Sequence, residues 1–116
     1  MKTFIVDVIS NIFENGGGFV WKGRNFVLVI NEKDNVAVAM IDLFAGETVA
    51  VRGRSGLKEI QVLDNIPRGH KIAISEIKKG EPVIKYGEII GFASTPIMKG
   101  SYVHNHNIVG RCGSCE

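Results

Sequence analysis

A chain of 116 residues is the size of one ordinary domain and can bury roughly 65% of the surface that its unfolded form exposes. With 45% hydrophobic residues, 22% charged residues and a formal net charge of +2, it has neither the polarity of a disordered segment nor the basic patch of a nucleic-acid binder. The size leaves little room for a deep cleft, which weighs against a self-sufficient enzyme acting on a polar metabolite.

The first residues, Met1-Lys2-Thr3-Phe4-Ile5-Val6, loosely suggest a secretion signal, but Asp7 interrupts the apolar run early. Ile5, Ile9, Ile12 and Phe13 stand at helical spacing, with Asn15-Gly16 placed to end a helix. Phe4, Val6 and Val8 alternate as a strand would, so both readings fit. Gly16-Gly17-Gly18 reads as a hinge, and residues 1–25 form an extension suited to packing on its own sheet or on a partner. No apolar run approaches the roughly 18 residues of a membrane span, so no membrane partner is expected.

Phe26-Val27-Leu28-Val29-Ile30 and Val36-Ala37-Val38-Ala39-Met40-Ile41 are continuous apolar runs, short enough for strands buried on both faces. Between them, Asn31-Glu32-Lys33-Asp34-Asn35 has turn chemistry. A pattern then recurs: an aliphatic residue, Gly three positions later, and Val or Ile three positions after that. It occurs at Leu43/Gly46/Val49, Ile66/Gly69/Ile72, Ile77/Gly80/Val83 and Ile97/Gly100/Val103. Uneven spacing excludes a solenoid of fixed period. Each Gly can supply the positive φ of a tight turn while the aliphatics enter the core. One turn-to-strand device, reused, predicts a compact antiparallel fold of bent hairpins. Gly53-Arg54-Ser55-Gly56 reads as a loop tip and Lys78-Lys79 as a solvated turn.

Three places carry chemistry. On a strand, His104 and His106 of Val103-His104-Asn105-His106-Asn107 would project to one side, where two imidazoles can share a metal, and Asn105 and Asn107 can meet a polyol on the other. Two ligands do not complete a site, so a third donor must come from elsewhere. Pro67-Arg68-Gly69-His70-Lys71 sets an imidazole beside two cations, and Lys85-Tyr86 can bind an anion or simply cover apolar surface. Cys112-Gly113-Ser114-Cys115 can be half of a metal site, a redox couple or a reduced tail, and His104 and His106 lie close enough in sequence to join it. With both cysteines confined to the tail there is no disulfide framework, and a reducing, cytoplasmic compartment is expected. The chain carries neither a phosphate-binding glycine loop nor a Gly-x-Ser-x-Gly elbow.

Taken together, several segments are more specific than any alone: Lys33-Asp34-Asn35-Val36-Ala37-Val38-Ala39, Asp42-Leu43-x-Ala45-Gly46, Ile66-Pro67-x-Gly69-His70-Lys71-Ile72-Ala73, Gly80-Glu81-x-Val83-Ile84-Lys85-Tyr86-Gly87, Ile90-Gly91 and Val103-His104-x-His106-Asn107. In this order they resemble the SAF-type domain that opens altronate and galactarate dehydratases and forms a separate small subunit in two-chain members such as sulfolactate sulfo-lyase. The resemblance implies a mainly β, β-clip fold of bent antiparallel hairpins with little helix, over residues 26–108. Residues 1–25 and the tail 109–116 lie outside it.

It further implies a larger catalytic subunit as partner, a sugar-acid substrate, and a hydro-lyase reaction giving a 2-keto-3-deoxy acid. A divalent metal, iron(II), shared with the larger subunit, is expected to offset charge on the substrate carboxylate. On the matching positions, His70 is expected to transfer a proton or bind the carboxylate. Lys71, Lys85 and Asn107 are expected to bind substrate, and His104 and His106 to bind metal or substrate. SAF-type domains also occur in sialic-acid synthases and in pilus or flagellar assembly proteins, so a non-catalytic sugar-acid-binding or regulatory module is the competing expectation. A small metal or redox protein using Cys112 and Cys115 is the third.

Overall fold

The computed structural model describes residues 26–53 and 58–110. The expectations for the 1–25 extension, the rest of the Gly53–Gly56 loop tip and the Cys112/Cys115 tail lie outside these residues. Among the described residues all regular structure is strand. The strands are β1 (Phe26–Val29), β2 (Val36–Ala39), β3 (Thr48–Gly53), β4 (Lys58–Gln61), β5 (Lys71–Ala73), β6 (Pro82–Lys85), β7 (Glu88–Ala93), β8 (Tyr102–Val103) and β9 (Ile108–Val109). They form a curled six-stranded sheet, β4-β3-β1-β2-β5-β8, and a three-stranded sheet, β6-β7-β9. The architecture is mainly β and consistent with a β-clip. No helix among the described residues is long and apolar enough to cross a membrane.

The recurring turn-to-strand device is the organising feature. In all four copies a main-chain N–H closes a β-turn onto the carbonyl three residues earlier: Glu47 to Phe44, His70 to Pro67, Glu81 to Lys78 and Ser101 to Met98, at 2.9–3.1 Å. Gly46, Gly69, Gly80 and Gly100 all take positive φ, between 86° and 98°. This is the requirement of the third position of a type II turn, and it explains the glycine in each copy. The same four glycines donate their N–H to a carbonyl of a neighbouring segment, of Val62, Ala39, Ala93 and Ala73, each at 2.8 Å.

The copies pair two by two. Leu43 and Ile66 exchange both main-chain hydrogen bonds in an antiparallel bridge, and Ile77 and Ile97 do the same. Each pair closes one core. Leu43 and Ile66 join Val27, Val29, Ala37, Ala39, Val49, Val51, Ile60, Val62 and Ile72. Ile77 and Ile97 join Val36, Ala73, Val83, Ala93 and Val103. Alternation along β2 and β5 makes these strands a shared wall, with Ile72 in the first core and its neighbour Ala73 in the second.

Strand β1 is buried on both faces, as its continuous apolar run requires. Val27 and Val29 enter the first core, while Phe26, Leu28 and Ile30 form a third cluster with Met40 and Ala50. The expected all-antiparallel plan needs one correction, because β1 and β3 run parallel, with Phe26 opposite Ala50 and Leu28 opposite Arg52. The chain leaves β2 through the Leu43 turn and returns along the other edge of β1, so that β1 is flanked by β2 and β3.

Asp34 and Asn35 do more than shape their own loop. Asp34 accepts the N–H of Asn31 and, across the fold, that of Gly87 at 2.8 Å. Asn35 donates its side-chain amide to the carbonyl of Pro82 and accepts the N–H of Ile84. These bonds tie the large sheet to the β6–β7 hairpin. The hairpin turns through Tyr86 (φ 57°) and Gly87 (φ 80°), a two-residue loop of the type I′ kind.

Candidate functional site

Register builds the site. Strands β5 and β8 are antiparallel, with Lys71 opposite Val103 and Ile72 opposite Tyr102. Continued by one residue, this register sets His70 opposite His104, and their ring centroids lie 5.1 Å apart. Tyr102, one position back on the same face as His104, stacks on it with an interplanar angle of 12° and a centroid separation of 5.5 Å. The Tyr102 hydroxyl is 2.7 Å from Nδ1 of His70. His106 completes the group, its ring centroid 5.5 Å from that of Tyr102. Three imidazoles thus surround one phenol ring.

The expected strand through residues 104–107 is replaced by a turn. The N–H groups of Asn107 and Ile108 both donate to the carbonyl of His104. Asn107 is the cause. Its side-chain oxygen accepts the His104 N–H at 2.9 Å and its amide donates to the Tyr102 carbonyl at 2.8 Å. The residue is buried, with both polar side-chain atoms engaged by the main chain. Asn107 is therefore a post that shapes the His104–His106 turn, in place of the exposed substrate contact expected for it. His104 and His106 meet through the Tyr102 ring and not through strand alternation.

The two lysines lie within electrostatic reach of one another, and the charge of Lys71 also reaches His104. Lys71 is half-buried, and alternation sends it to the side of Ala73 and Val103. Burial, and then the charge of Lys85, hold the Lys71 ammonium below the ordinary lysine range. Asp34, by gripping Gly87, fixes the hairpin end that carries Lys85, whose Nζ lies 4.9 Å from the centre of the Tyr86 ring. Among the described residues, none of Lys71, Lys85, His70, His104 and His106 forms an ion pair with a carboxylate. The structure thus brings together His70, His104 and His106, leaves Lys71 close enough for its charge to reach His104, sets Lys85 within reach of Lys71, and turns Asn107 inward.

The His104 imidazole is held below its ordinary value by partial burial and then by the positive charges of His70, Lys71 and His106. This favours the neutral imidazole over the charged one. Removing one of the charges relieves the repulsion and raises the value. An NMR titration is expected to give His104 a midpoint below that of an ordinary imidazole, moving upward in Lys71→Met. An unmoved midpoint would sever the two groups. The unfolded chain binds this proton more readily than the folded one, so His104 leaves stability unchanged above its unfolded value and lowers it as the solution is acidified through that value.

Among the described residues, no group of three or more His, Cys, Asp or Glu side chains is arranged to hold a metal ion. His104 and His106 are two donors short of a closed tetrahedral set, and Nδ1 of His70 already faces the Tyr102 hydroxyl. The described residues by themselves do not form a metal centre. Cys112 and Cys115 lie outside the described residues.

Sequence reasoning missed Tyr102. Its signal was available only through pairing: once the second and fourth turn copies are set antiparallel, the residue two before His104 falls diagonally across from His70.

The described residues define a class: a small, mainly β module that gathers three imidazoles around one tyrosine. The chain belongs to the SAF domain family of altronate and galactarate dehydratases, whose family model matches residues 25–111. It is 44% identical over 78 residues to altronate dehydratase of Bacillus subtilis (strain 168), covering 67% of this chain and 15% of that protein. It is 33% identical over 84 residues to galactarate dehydratase (L-threo-forming) of Escherichia coli (strain K12), covering 72% and 15%. It is also 34% identical over 84 residues to the (2R)-sulfolactate sulfo-lyase subunit alpha of Chromohalobacter salexigens, covering 70% of this chain and 89% of that subunit. The chain therefore matches only 15% of the length of the dehydratases but most of a lyase subunit.

Proposed function

We propose that this chain is the small subunit of a hydro-lyase that dehydrates a sugar acid of the altronate or galactarate kind to a 2-keto-3-deoxy acid, working with a larger catalytic chain in the cytoplasm and inactive alone. The observation that carries the reading is the group of three imidazoles around a tyrosine, with Lys71 and Lys85 in electrostatic reach and without carboxylate partners among the described residues, on a module of a lyase family. Uncompensated cations of this kind attract a carboxylate. The match to most of a sulfo-lyase subunit supports a separate small chain. Exposed Ile89, Ile90 and Val109 on the three-stranded sheet are apolar surface of the kind a larger chain covers.

In the reaction, a base takes the proton beside the carboxylate, the neighbouring C–O bond breaks, and the hydroxyl leaves with a proton as water. The enol that remains becomes the keto acid. Losing the proton adds charge to an already anionic group, and Lys71 and Lys85 oppose that charge from this chain's side. His70 contacts the carboxylate or moves a proton. The divalent ion, iron(II) on the family resemblance, takes its principal ligands from the larger chain on this reading, with His104 and His106 the imidazoles this chain can add.

The test is to recover the chain with its partners from its native extract and to assay keto-acid formation from altronate and galactarate with ferrous iron added. Activity confined to a complex holding a larger chain is the expected result. Recovery as a lone, inactive protein would favour a sugar-acid-binding or regulatory module instead.

A further inference from the structure

Every imidazole of the site meets one residue, Tyr102, and among the described residues its hydroxyl has a single partner, Nδ1 of His70 at 2.7 Å. A neutral imidazole carries one donor and one acceptor nitrogen, and the bond made by one nitrogen decides what the other presents. A phenol O–H is more acidic than the N–H of neutral imidazole, and an imidazole nitrogen is more basic than a phenol oxygen. The favoured sense is therefore donation from the Tyr102 hydroxyl to Nδ1, which puts the proton of neutral His70 on Nε2.

Tyr102 is itself held firmly. Its N–H donates to Asp64 at 2.9 Å, its carbonyl accepts the Asn107 amide, and its ring packs against the first core. The hydroxyl thus approaches His70 from a fixed direction, and the ring underneath cannot turn without leaving the His104 stack. We propose that Tyr102 is a positioning residue that locks His70 in the Nε2–H tautomer, so that His70 presents a hydrogen-bond donor to the bound acid. This rests on the lyase reading for the identity of the acid. Of the two roles open to His70, it selects binding of a substrate oxygen over abstraction of a proton.

The test uses Tyr102→Phe, which removes the hydroxyl and keeps the stacked ring. In the ¹⁵N-labelled full chain, about two pH units above the ordinary histidine value of about 6.5, two-bond ¹H–¹⁵N spectra report the tautomer of each neutral imidazole. The parent chain is expected to show His70 in one form, protonated on Nε2, with Nδ1 displaced by a hydrogen bond. Tyr102→Phe is expected to show a mixture of both forms. A His70 protonated on Nδ1 in the parent, or identical spectra for the two chains, would overturn the proposal.

In the assembled complex, Tyr102→Phe is expected to raise KM about tenfold with a smaller change in kcat, the effect of one misdirected hydrogen bond. In a His70→Gln background, which keeps a donor without needing Tyr102, the same substitution is expected to be silent. An unchanged KM beside the expected spectra would remove the role toward the acid. An inactive parent complex would instead overturn the lyase reading and leave the spectra to decide the tautomer.

Discussion

Gly100→Ala is expected to destabilise the folded chain by about 4 kcal/mol, whereas Gly46→Ala costs about 1 kcal/mol. Both glycines have positive φ, +94° and +98°, so the backbone strain of an L side chain is common to the two. Their surroundings differ. Nothing lies within 4 Å of a Cβ built on Gly46, while one built on Gly100 runs into the carbonyl oxygen of Gln61 and lies 3.2 Å from Cγ of Leu63.

The clash with Gln61 is against main-chain atoms and cannot be relieved by a rotamer change. Gly100 is buried, donates to Ala73 and accepts from the N–H of Leu63 at 2.9 Å, so it is where the fourth turn copy is sewn to the segment after β4. Urea denaturation of the full chain, read by circular dichroism, gives both values. Equal losses for the two variants would show that turn strain alone sets the cost and that the close approach is unimportant.

The second large effect concerns the imidazoles. Joint replacement His70→Ala, His104→Ala and His106→Ala is expected to lower the activity of the assembled complex at least about a hundredfold, the scale of losing an acid–base or substrate-orienting group. The folded chain is expected to survive, because His106 is exposed, His104 is half-exposed, and the turn that carries them is held by the side chain of Asn107 and not by the imidazoles. Complex formation, followed by co-purification, separates lost chemistry from lost assembly. Full activity in a complex that still forms would remove the imidazole group from the reaction and leave the lysines as a simple anion-attracting surface.

Much of the fold was legible because it is built from local rules. A type II turn needs Gly at its third position, and a strand entering the core needs aliphatics around it, so four copies of one pattern announced four copies of one turn. The run from Phe26 to Ile30 announced a strand with apolar residues on both faces, and it feeds two separate clusters. Residue type likewise pointed to His70, His104, His106, Lys71 and Lys85. Asn107 was the exception. An Asn among histidines looks like a polar contact in sequence, but its amide fits the two unpaired main-chain groups beside it.

What the sequence by itself determined was the kind of each element, because glycine conformation and strand alternation act over a few neighbouring residues. It determined too which imidazoles and lysines the candidate site can draw on, which follows from side-chain type. Tertiary structure alone decided the pairing of the copies, Leu43 with Ile66 and Ile77 with Ile97, and the parallel placement of β1 beside β3. It also decided that Tyr102 stands among the imidazoles and that Asp34 holds the hairpin of Lys85 across 53 residues of chain. These are long-range choices of register. They depend on which combination of buried faces and satisfied main-chain groups closes together, and no local pattern contains that information.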